Sequence, residues 1–351
     1  MRIVPVESLN SEMQLAKPLY YNNNILLNTG AIKLQRYKER LLKLGINYLY
    51  VKDNYSRNLK INELIKDKTR KKSRAIIKKT LDNIAIHEDI NISEIKSLII
   101  DIIDDILSLD NILLNLIDIK TYSSYTFTHS VNVAVISVLI GKLLNYELKS
   151  LIDLGIGGLL HDIGKVLLPP KILNKPNKLS REEYKILKEH PRLGYDYTKK
   201  YDEISKRASM IILSHHERID GSGYPKKISG NKIHDFSKIA AIADVYDALI
   251  SDRIYRKSWS MTNIIEYLIS NVNTKFDFEI LEIFIENIAI YPNGNTVLLS
   301  NGQRAVVKEQ NKGFPLRPIV VPIVDKEGKE IRELGLLNLM ETLDIVILDN
   351  L

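Results

Sequence analysis

The spacing of apolar residues divides the chain into a β-rich beginning, a helical middle and a β-rich end. In the first sixty residues, Gly45 follows a segment whose apolar positions lie three to four residues apart, which predicts a helix over 31–44 with a stop at the glycine. Short apolar, β-branched runs predict strands at 1–6, 25–27 and 48–51. Residues 1–60 are therefore predicted to form a small α+β domain.

Apolar positions recur at helical spacing from residue 91 to residue 290. After a first stripe that begins at Ile95, similar stripes occur at 131–144, 151–160, 204–213, 238–250 and 263–270. Ser180 and Glu183 have the spacing of a capping box, which predicts the start of one more helix. This segment is predicted to be all-α, with on the order of seven or more helices.

The helical pattern ends near Tyr291-Pro292, and a β pattern replaces it. The turn dipeptides Asn293-Gly294 and Asn301-Gly302 flank the β-type run 296–300, and further runs follow at 304–308 and 319–324. Residues 291–351 are therefore predicted to form a small β subdomain. With a basic connector over 61–90, the predicted fold class is mainly α, a helical domain over 91–290 between two small flanking units.

Composition narrows the class of protein. Of 351 residues, 45% are apolar and 26% charged, close to the ~45–50% and ~25% of soluble globular proteins, which excludes a largely disordered or collagen-like chain. Cys is 0, which excludes a disulfide framework and a Cys nucleophile and fits a reducing cytoplasm, the predicted location. The first ten residues have no signal-peptide core, and no apolar run approaches the ~20 residues of a membrane span, so we expect no membrane segment.

The excess positive charge is small. Lys plus Arg is 50 and Asp plus Glu is 43, a net charge of +7. Part of it lies in the basic run Lys66–Lys79, which is more typical of a solvated helix face than of a nucleic-acid patch. We therefore expect no nucleic-acid polymer as a partner.

Five of the 7 histidines fall in short motifs together with two aspartates in apolar surroundings. Neutral imidazole and carboxylate are ligands for Fe, Mn, Co and Zn, and a buried carboxylate needs a cation or donors to stay ionised. So many ligands exceed one open catalytic site but match two metals joined by a bridging carboxylate, for which Asp162 is the natural candidate. The residues are His129, His161, Asp162, His190, His215, His216 and Asp244.

Three motifs carry a family resemblance: HDIGK at 161–165, HHE at 215–217 and DGSGYP at 220–225. HDIGK with a distant Asp resembles the HD phosphohydrolase superfamily, and HHE followed by DGSGYP resembles its HD-GYP subfamily. The resemblance implies an all-helical, metal-dependent phosphodiesterase that hydrolyses the bacterial second messenger cyclic di-GMP to pGpG, GMP or both. It also implies attack by a metal-bridging hydroxide.

The resemblance implies a role for each matching residue. His129, His161, Asp162 and Asp244 would hold one metal, and Asp162, His190, His215 and His216 the other. Fe or Mn suits this Cys-free set of ligands best.

Lys165 would contact the scissile phosphate, beside Asp162 as the catalytic carboxylate. The remaining substrate contacts would come from Gly223, Tyr224 and Pro225 of the GYP loop, which also contains Gly221, and from Asp247, Arg253 and Arg256. Tyr224 would stack on guanine, and Asp247, one turn after Asp244, would orient a ligand or contact the base.

Two positions depart from the family pattern. Tyr125 stands where some members have a Glu that binds a third metal, so we predict a two-metal site. Ile219 replaces a Trp that often precedes the DG of the loop. His87 and His234 have no role in the pattern and are predicted to be surface residues.

Other functions compete with this one. A catalytically silent cyclic di-GMP receptor would lose ligands, whereas all are present here. A general HD nucleotide hydrolase usually lacks the HHE and GYP motifs, and an HD-type di-iron oxygenase has no use for a phosphate-binding Lys. Hydrolysis of another cyclic dinucleotide, such as cyclic GMP-AMP, stays open because a stacking Tyr accepts any purine. A homodimer and a signalling partner protein stay open as well.

Overall fold

The computed structural model describes residues 1–350 apart from 22–23, 57–63, 110–124, 174, 176, 251–258 and 332–334. The described residues form two compact units. One combines the two ends of the chain, within Met1–Leu64 and Glu286–Leu351, and is called the terminal unit here. The other lies within Ile65–Asp110 and Ser124–Ile285 and is called the helical unit.

The terminal unit contains antiparallel sheets from both ends of the chain. Its N-terminal part has a three-stranded sheet in the order β1-β5-β2 and a β3-β4 hairpin, and its C-terminal part has a five-stranded sheet in the order β10-β6-β7-β8-β9. The strands are β1 Arg2–Pro5, β2 Gln14–Leu15, β3 Leu19–Tyr21, β4 Asn24–Leu27, β5 Tyr48–Lys52, β6 Thr296–Leu299, β7 Arg304–Glu309, β8 Ile319–Val324, β9 Leu337–Asn338 and β10 Ile347–Asn350. All three predicted N-terminal strands and all three predicted C-terminal strands are present, and β2, β3, β9 and β10 are additional.

Hydrogen bonds join the two ends of the chain within the terminal unit. The backbone N–H of Ile3 donates to the carbonyl of Gly294, and Arg2 donates to Thr296 Oγ1 at 2.9 Å. Arg2 is buried and also pairs with Asp53, with an Nε–Oδ2 distance of 2.7 Å. Residues nearly 300 positions apart are thus held in one unit.

The helix predicted over 31–44 is wrong in extent. Lys33 has a φ of 56°, a left-handed conformation that interrupts a helix. A 3₁₀ helix follows at Leu34–Tyr37, and the α-helix α1 covers only Lys38–Lys43. Gly45, with a φ of +74°, ends this segment as predicted.

The helical unit consists of helices joined by short loops, as its apolar periodicity predicts. Its helices are α2 Asp67–Ala85, α3 Ile92–Leu107, α4 Tyr125–Leu143, α5 Leu148–Leu160, α6 Pro170–Leu173, α7 Arg181–Leu187, α8 His190–Thr198, α9 Lys206–Ser214, α10 Asp235–Ile250, α11 Met261–Ser270 and α12 Phe278–Glu286. The predicted capping box of Ser180 and Glu183 is present at the start of α7. No helix in the described ranges is long and apolar enough to cross a membrane.

Much of the predicted basic connector is helical. α2 places Thr69, Ser73, Ile77, Thr80 and Ile84 on one buried face, and its lysines cover the opposite face. The basic run is therefore the solvated face of a helix, as its charge pattern predicts.

α5 lies at the centre of the helical unit because glycines let its neighbours approach closely. A Cβ on Gly158 would lie 3.0 Å from the Cα of Ala134 in α4, and one on Gly157 would lie 2.5 Å from the side chain of Ile211 in α9. A Cβ on Gly155 would meet Ile99 of α3 at 2.5 Å. Close packing around α5 brings the ends of several helices to one place.

Candidate metal centre

Five segments of the helical unit bring the predicted ligands together. His129 lies in the first half of α4, and Asp244 lies in α10. His161 and His215 directly follow α5 and α9, and His190 is the first residue of α8. Two groups of potential ligands result, each with donor atoms within 4.8 Å of one another: His129, His161 and Asp244, and Asp162, His190, His215 and His216.

Asp162 lies between the two groups and offers one carboxylate oxygen to each. Its Oδ2 is 3.3 Å from His161 Nε2 and 3.7 Å from His129 Nε2. Its Oδ1 is 3.2 Å from His190 Nε2 and 3.7 Å from His215 Nε2. This is the geometry that a bridging carboxylate requires, and it agrees with the two predicted ligand sets.

Backbone carbonyls orient three of the imidazole rings. The Nδ1 of His161 is 2.8 Å from the carbonyl of Gly158, that of His190 is 2.8 Å from the carbonyl of Leu187, and that of His215 is 3.0 Å from the carbonyl of Ile211. Since a carbonyl only accepts, each Nδ1 carries the proton and donates it. The Nε2 lone pairs therefore face the centre, as ligation requires.

A carboxylate orients His129 instead. Asp247 Oδ2 is 2.6 Å from His129 Nδ1, and Asp247 Oδ1 accepts from Asn132 Nδ2 at 2.6 Å. Asp247 is completely buried. Of the two roles predicted for Asp247, this geometry favours orienting a ligand over contacting the base.

The charges suit cation binding. Burial acts to raise the pKa of Asp162, but its interactions with His161, Lys165 and His190 hold that pKa well below its usual value. Burial lowers the pKa of His190 and His215, and it lowers that of His216 well below the usual value. The carboxylate is thus ionised and these rings are neutral at neutral pH, the forms that bind metals.

Two atoms of the centre lack a hydrogen-bond partner among the described residues. His161 Nε2 and Asp162 Oδ1 are both buried, and neither makes a hydrogen bond. Leaving a buried polar atom unpaired costs about 1–3 kcal/mol, so such atoms call for a partner. Divalent cations held by the two groups would supply it, and the nitrogen and oxygen donors fit such ions.

Lys165 places a positive charge beside the bridging carboxylate. Its ammonium donates to Asp162 Oδ2 at 2.5 Å, and its side chain is half-buried. Gly164, the residue before it, has no room for a Cβ because the backbone of His190 and Gly194 lies against it. The HDIGK turn is therefore packed tightly onto the start of α8.

The GYP loop packs against the same centre. The ring of Tyr224 stacks on the ring of His216, with centroids 4.6 Å apart, and the Tyr224–Pro225 peptide bond is cis. Gly223 is buried, and a Cβ there would lie 2.5 Å from the Cα of Glu217. Gly221 has a φ of +80°, which favours glycine. Packing and turn geometry thus account for both glycines.

Two supporting residues are absent from the sequence-based prediction. The buried Glu217 accepts from the backbone N–H groups of Lys226 and Lys227 through Oε1, at 2.6 and 3.1 Å, and so holds the loop. Asn132 supports Asp247. The available signals were the third position of HHE and a polar residue one turn after His129 in an otherwise apolar run.

Other predicted residues fall at the limits of the described structure. Arg253 and Arg256 lie outside the described residues. Tyr125 is the first residue of α4, and its side chain also lies outside the described part. His87 and His234 are exposed, as predicted.

The fold and the centre define a class: a helical bundle whose helix ends and faces gather a His/Asp cluster around a bridging aspartate. Two family models match the chain. Residues 112–280 match the HD domain, and residues 296–351 match the KOW domain associated with HD domains. The second match covers the five-stranded sheet of the terminal unit.

The chain is also similar to individual proteins of known name or structure. A cyclic di-GMP phosphodiesterase of Pseudomonas aeruginosa is 37% identical over 224 residues, 63% of this chain and 54% of that protein. A 3′3′-cGAMP-specific phosphodiesterase of Vibrio cholerae is 34% identical over 54% of this chain and 43% of that protein. The chain thus spans about half or less of these relatives' length. The solved HDG"Y"P protein Bd1817 of Bdellovibrio bacteriovorus is 17% identical, has a TM-score of 0.51, and the match covers 80% of this chain and 97% of that one.

The match assigns residues 112–280 to the HD domain family. The resemblance to the HD-GYP subfamily, predicted from its three motifs, is confirmed by the family model and by the relatives.

Proposed function

We propose that this chain is a metal-dependent phosphodiesterase that hydrolyses cyclic di-GMP to pGpG, GMP or both. The observation that carries the proposal is the position of Asp162, whose two oxygens face two separate groups of histidines. The relatives named for cyclic dinucleotide hydrolysis supply the substrate class. The intact ligand set favours an enzyme over a silent receptor.

Each of the two groups would hold one divalent ion, with Asp162 shared between them. When bound, two such ions supply Lewis acidity at a phosphate oxygen and a water of lowered pKa as the nucleophile. The histidines contribute orientation, because their Nδ1 bonds prevent the rings from turning away. Fe or Mn is the proposed metal, since this site has nitrogen and oxygen donors and no thiolate.

Lys165 has the role of a cation for the scissile phosphate. Its side chain is half-buried, and its ammonium lies beside Asp162. The ammonium can donate hydrogen bonds to a phosphate oxygen. Negative charge that develops on non-bridging oxygens would be stabilised by this fixed positive charge. Arg253 and Arg256 are proposed, from their sequence positions alone, to contact the other phosphate oxygens.

The first experiment measures cyclic di-GMP hydrolysis by anaerobically purified protein, with bound metal quantified on the same sample. His161→Ala and Asp162→Ala serve as matched variants. We expect pGpG or GMP from the wild type alone, with about two metals per chain. Full metal occupancy with tight nucleotide binding and no turnover would instead favour the receptor.

Cyclic GMP-AMP is the second candidate substrate, because one relative is named for it. Competition between the two cyclic dinucleotides in one reaction gives the ratio of their kcat/KM values directly. A ratio above one for cyclic di-GMP supports the main proposal, and a ratio below one favours cyclic GMP-AMP.

The domain boundaries and the cellular context are proposed on the same basis. We keep 91–290 as the catalytic domain, 1–60 and 291–351 as flanking domains, and 61–90 as the segment between. A second-messenger substrate and the absence of Cys support a cytoplasmic site of action. A homodimer and a signalling partner protein stay predictions, and light scattering measures the first.

A further inference from the structure

A lysine outside the predicted site lies at the edge of the metal centre. Lys188 directly follows α7, and its Nζ is 5.1 Å from the ring centroid of Tyr224. The same Nζ is 4.8 Å from the ring centroid of Tyr184, one helical turn earlier. Since the Tyr224 ring stacks on His216, the ammonium is one ring away from a predicted metal ligand.

The environment of Lys188 suits an incoming anion. Among the described residues, no carboxylate lies within ion-pair distance of its Nζ, and the side chain is half-buried. Ring faces attract a cation but offer no full negative charge, so its three donors stay available. By contrast, Lys175 and Lys165 are both paired with carboxylates.

Tyr184 adds an aromatic surface beside this cation. It is 48% exposed, although it lies next to a predicted active site. An exposed ring with a neighbouring cation is the combination that binds purine nucleotides, through stacking on the base and attraction of the phosphate. The pair lies on the helix face that points to the GYP loop, as the contact of Lys188 with Tyr224 shows.

We propose that Tyr184 and Lys188 form a subsite for the nucleotide of the substrate that is not being cleaved. Lys188 binds its phosphate and Tyr184 stacks on its purine. The inference rests on the proposed function, because a cyclic dinucleotide has two phosphodiesters and the metal centre engages one. The second phosphate then brings a negative charge that Lys188 neutralises.

Comparing two substrates distinguishes an effect on the subsite from an effect on the metal centre. Cyclic di-GMP has both nucleotides, whereas bis(p-nitrophenyl) phosphate has one phosphodiester and no purine. The variants are Lys188→Met, Tyr184→Ala and Tyr184→Phe, the last of which keeps the ring. Lys185→Met is the matched control, because Lys185 is an exposed lysine of the same helix. Metal content is measured for every variant.

We expect Lys188→Met and Tyr184→Ala each to raise the KM for cyclic di-GMP about tenfold with little change in kcat. Tyr184→Phe and Lys185→Met should match the wild type. Hydrolysis of bis(p-nitrophenyl) phosphate should be unchanged in all four. An unchanged KM in Lys188→Met, or an equal loss with both substrates, would overturn the subsite.

A failure of the proposed phosphodiesterase function can be distinguished from a failure of the subsite. If the wild type binds cyclic di-GMP without cleaving it, the same comparison is made on Kd by calorimetry. A Kd about tenfold weaker in Lys188→Met then supports the subsite while the phosphodiesterase proposal fails. An equal Kd in both proteins overturns the subsite, and an absence of binding by the wild type overturns both.

Discussion

At the scale of single residues, helix ends explain why the histidines stand where they do. The last four carbonyls of a helix have no partner within it. His161 and His215 directly follow α5 and α9 and donate Nδ1–H to carbonyls in the last turn of those helices, and His190 does the same to the last residue of α7. One side-chain hydrogen bond to a carbonyl at a helix end thus selects the tautomer of each ring.

The sequence predicts the ligands better than their supports. The candidate ligands sit in short motifs whose residue types are characteristic, and the structure brings all of them together. Glu217 and Asn132 act on partners that become neighbours only after folding, a loop backbone and a carboxylate on another helix. No short-range spacing encodes either contact.

Replacing Asp247 with Asn should weaken metal binding. The amide keeps the shape but loses the charge that fixes His129 in the orientation for ligation. We expect metal affinity to fall about 10–100-fold, measured by competition with a chelator. Asp235→Asn, at the exposed start of the same helix, is the control, and equal affinities in the two variants would refute the orienting role.

The metal-free protein should lose stability as the pH falls below about 6.5. Burial lowers the pKa of His190, His215 and His216 in the folded chain, whereas the unfolded chain titrates near the ordinary value of 6.5. Below that pH the unfolded state binds more protons, so acid favours it. Hydrogen bonds that His129 donates to Asp244 and Asp247 overcome burial and raise its pKa to about 10, so its stabilising contribution is fully present below pH 6.5.

Urea unfolding of chelator-treated protein at pH 6.5 and at about pH 5 measures this difference. The metal-loaded protein is the comparison, because there protons compete with the metal for the same rings. A free energy of unfolding that is equal at the two pH values in the metal-free chain would contradict the expectation.

At the scale of elements, close packing around α5 holds the ligand-bearing helix ends together. Gly157→Val should destabilise the chain by about 1–3 kcal/mol, because the new side chain would overlap Ile211 and the Ala208 carbonyl in α9. α9 leads into His215 and His216, so metal content should fall as well. Thermal unfolding and metal analysis test both effects, with Lys149→Val on the exposed side of α5 as the control.

Helices are predicted well where the apolar periodicity extends over ten or more residues. They are predicted poorly where the backbone conformation of a single residue determines where the helix begins. Stripes of ten or more residues in the middle of the chain correspond to helices α3, α4, α5, α9 and α10. In 31–44 the same spacing predicted one helix, but the left-handed Lys33 divides the segment. The short strands β2 and β9 have two residues each, too few for an alternating pattern to be seen.

At the scale of the whole molecule, the residues of the helical unit lie in the sequence between the two parts of the terminal unit. Apolar periodicity predicts each part separately, but no local pattern reveals that residues from both ends share one unit. The buried pair of Arg2 and Asp53, with Thr296 as a further acceptor of Arg2, links them. The contribution of these contacts to stability can therefore be measured only in a chain that contains both Arg2 and Thr296.

Arg2→Met should destabilise the terminal unit by about 3–5 kcal/mol, since it leaves the buried Asp53 without its partner. Arg2→Met combined with Asp53→Asn should recover part of that loss, because no unpaired charge then remains. A double-mutant cycle on urea unfolding measures the coupling. Strictly additive losses would show that the ion pair contributes nothing.

The bond from Arg2 to Thr296 also sets an order of events on the ribosome. A nascent chain grows at about 5–20 residues per second, so Arg2 waits roughly 15–60 s before its acceptor is made. All candidate ligands of the metal centre, the last of them Asp244, are synthesised within that interval. The helical unit can thus begin to fold while Arg2 and Ile3 still lack their hydrogen-bond partners from the other end of the chain.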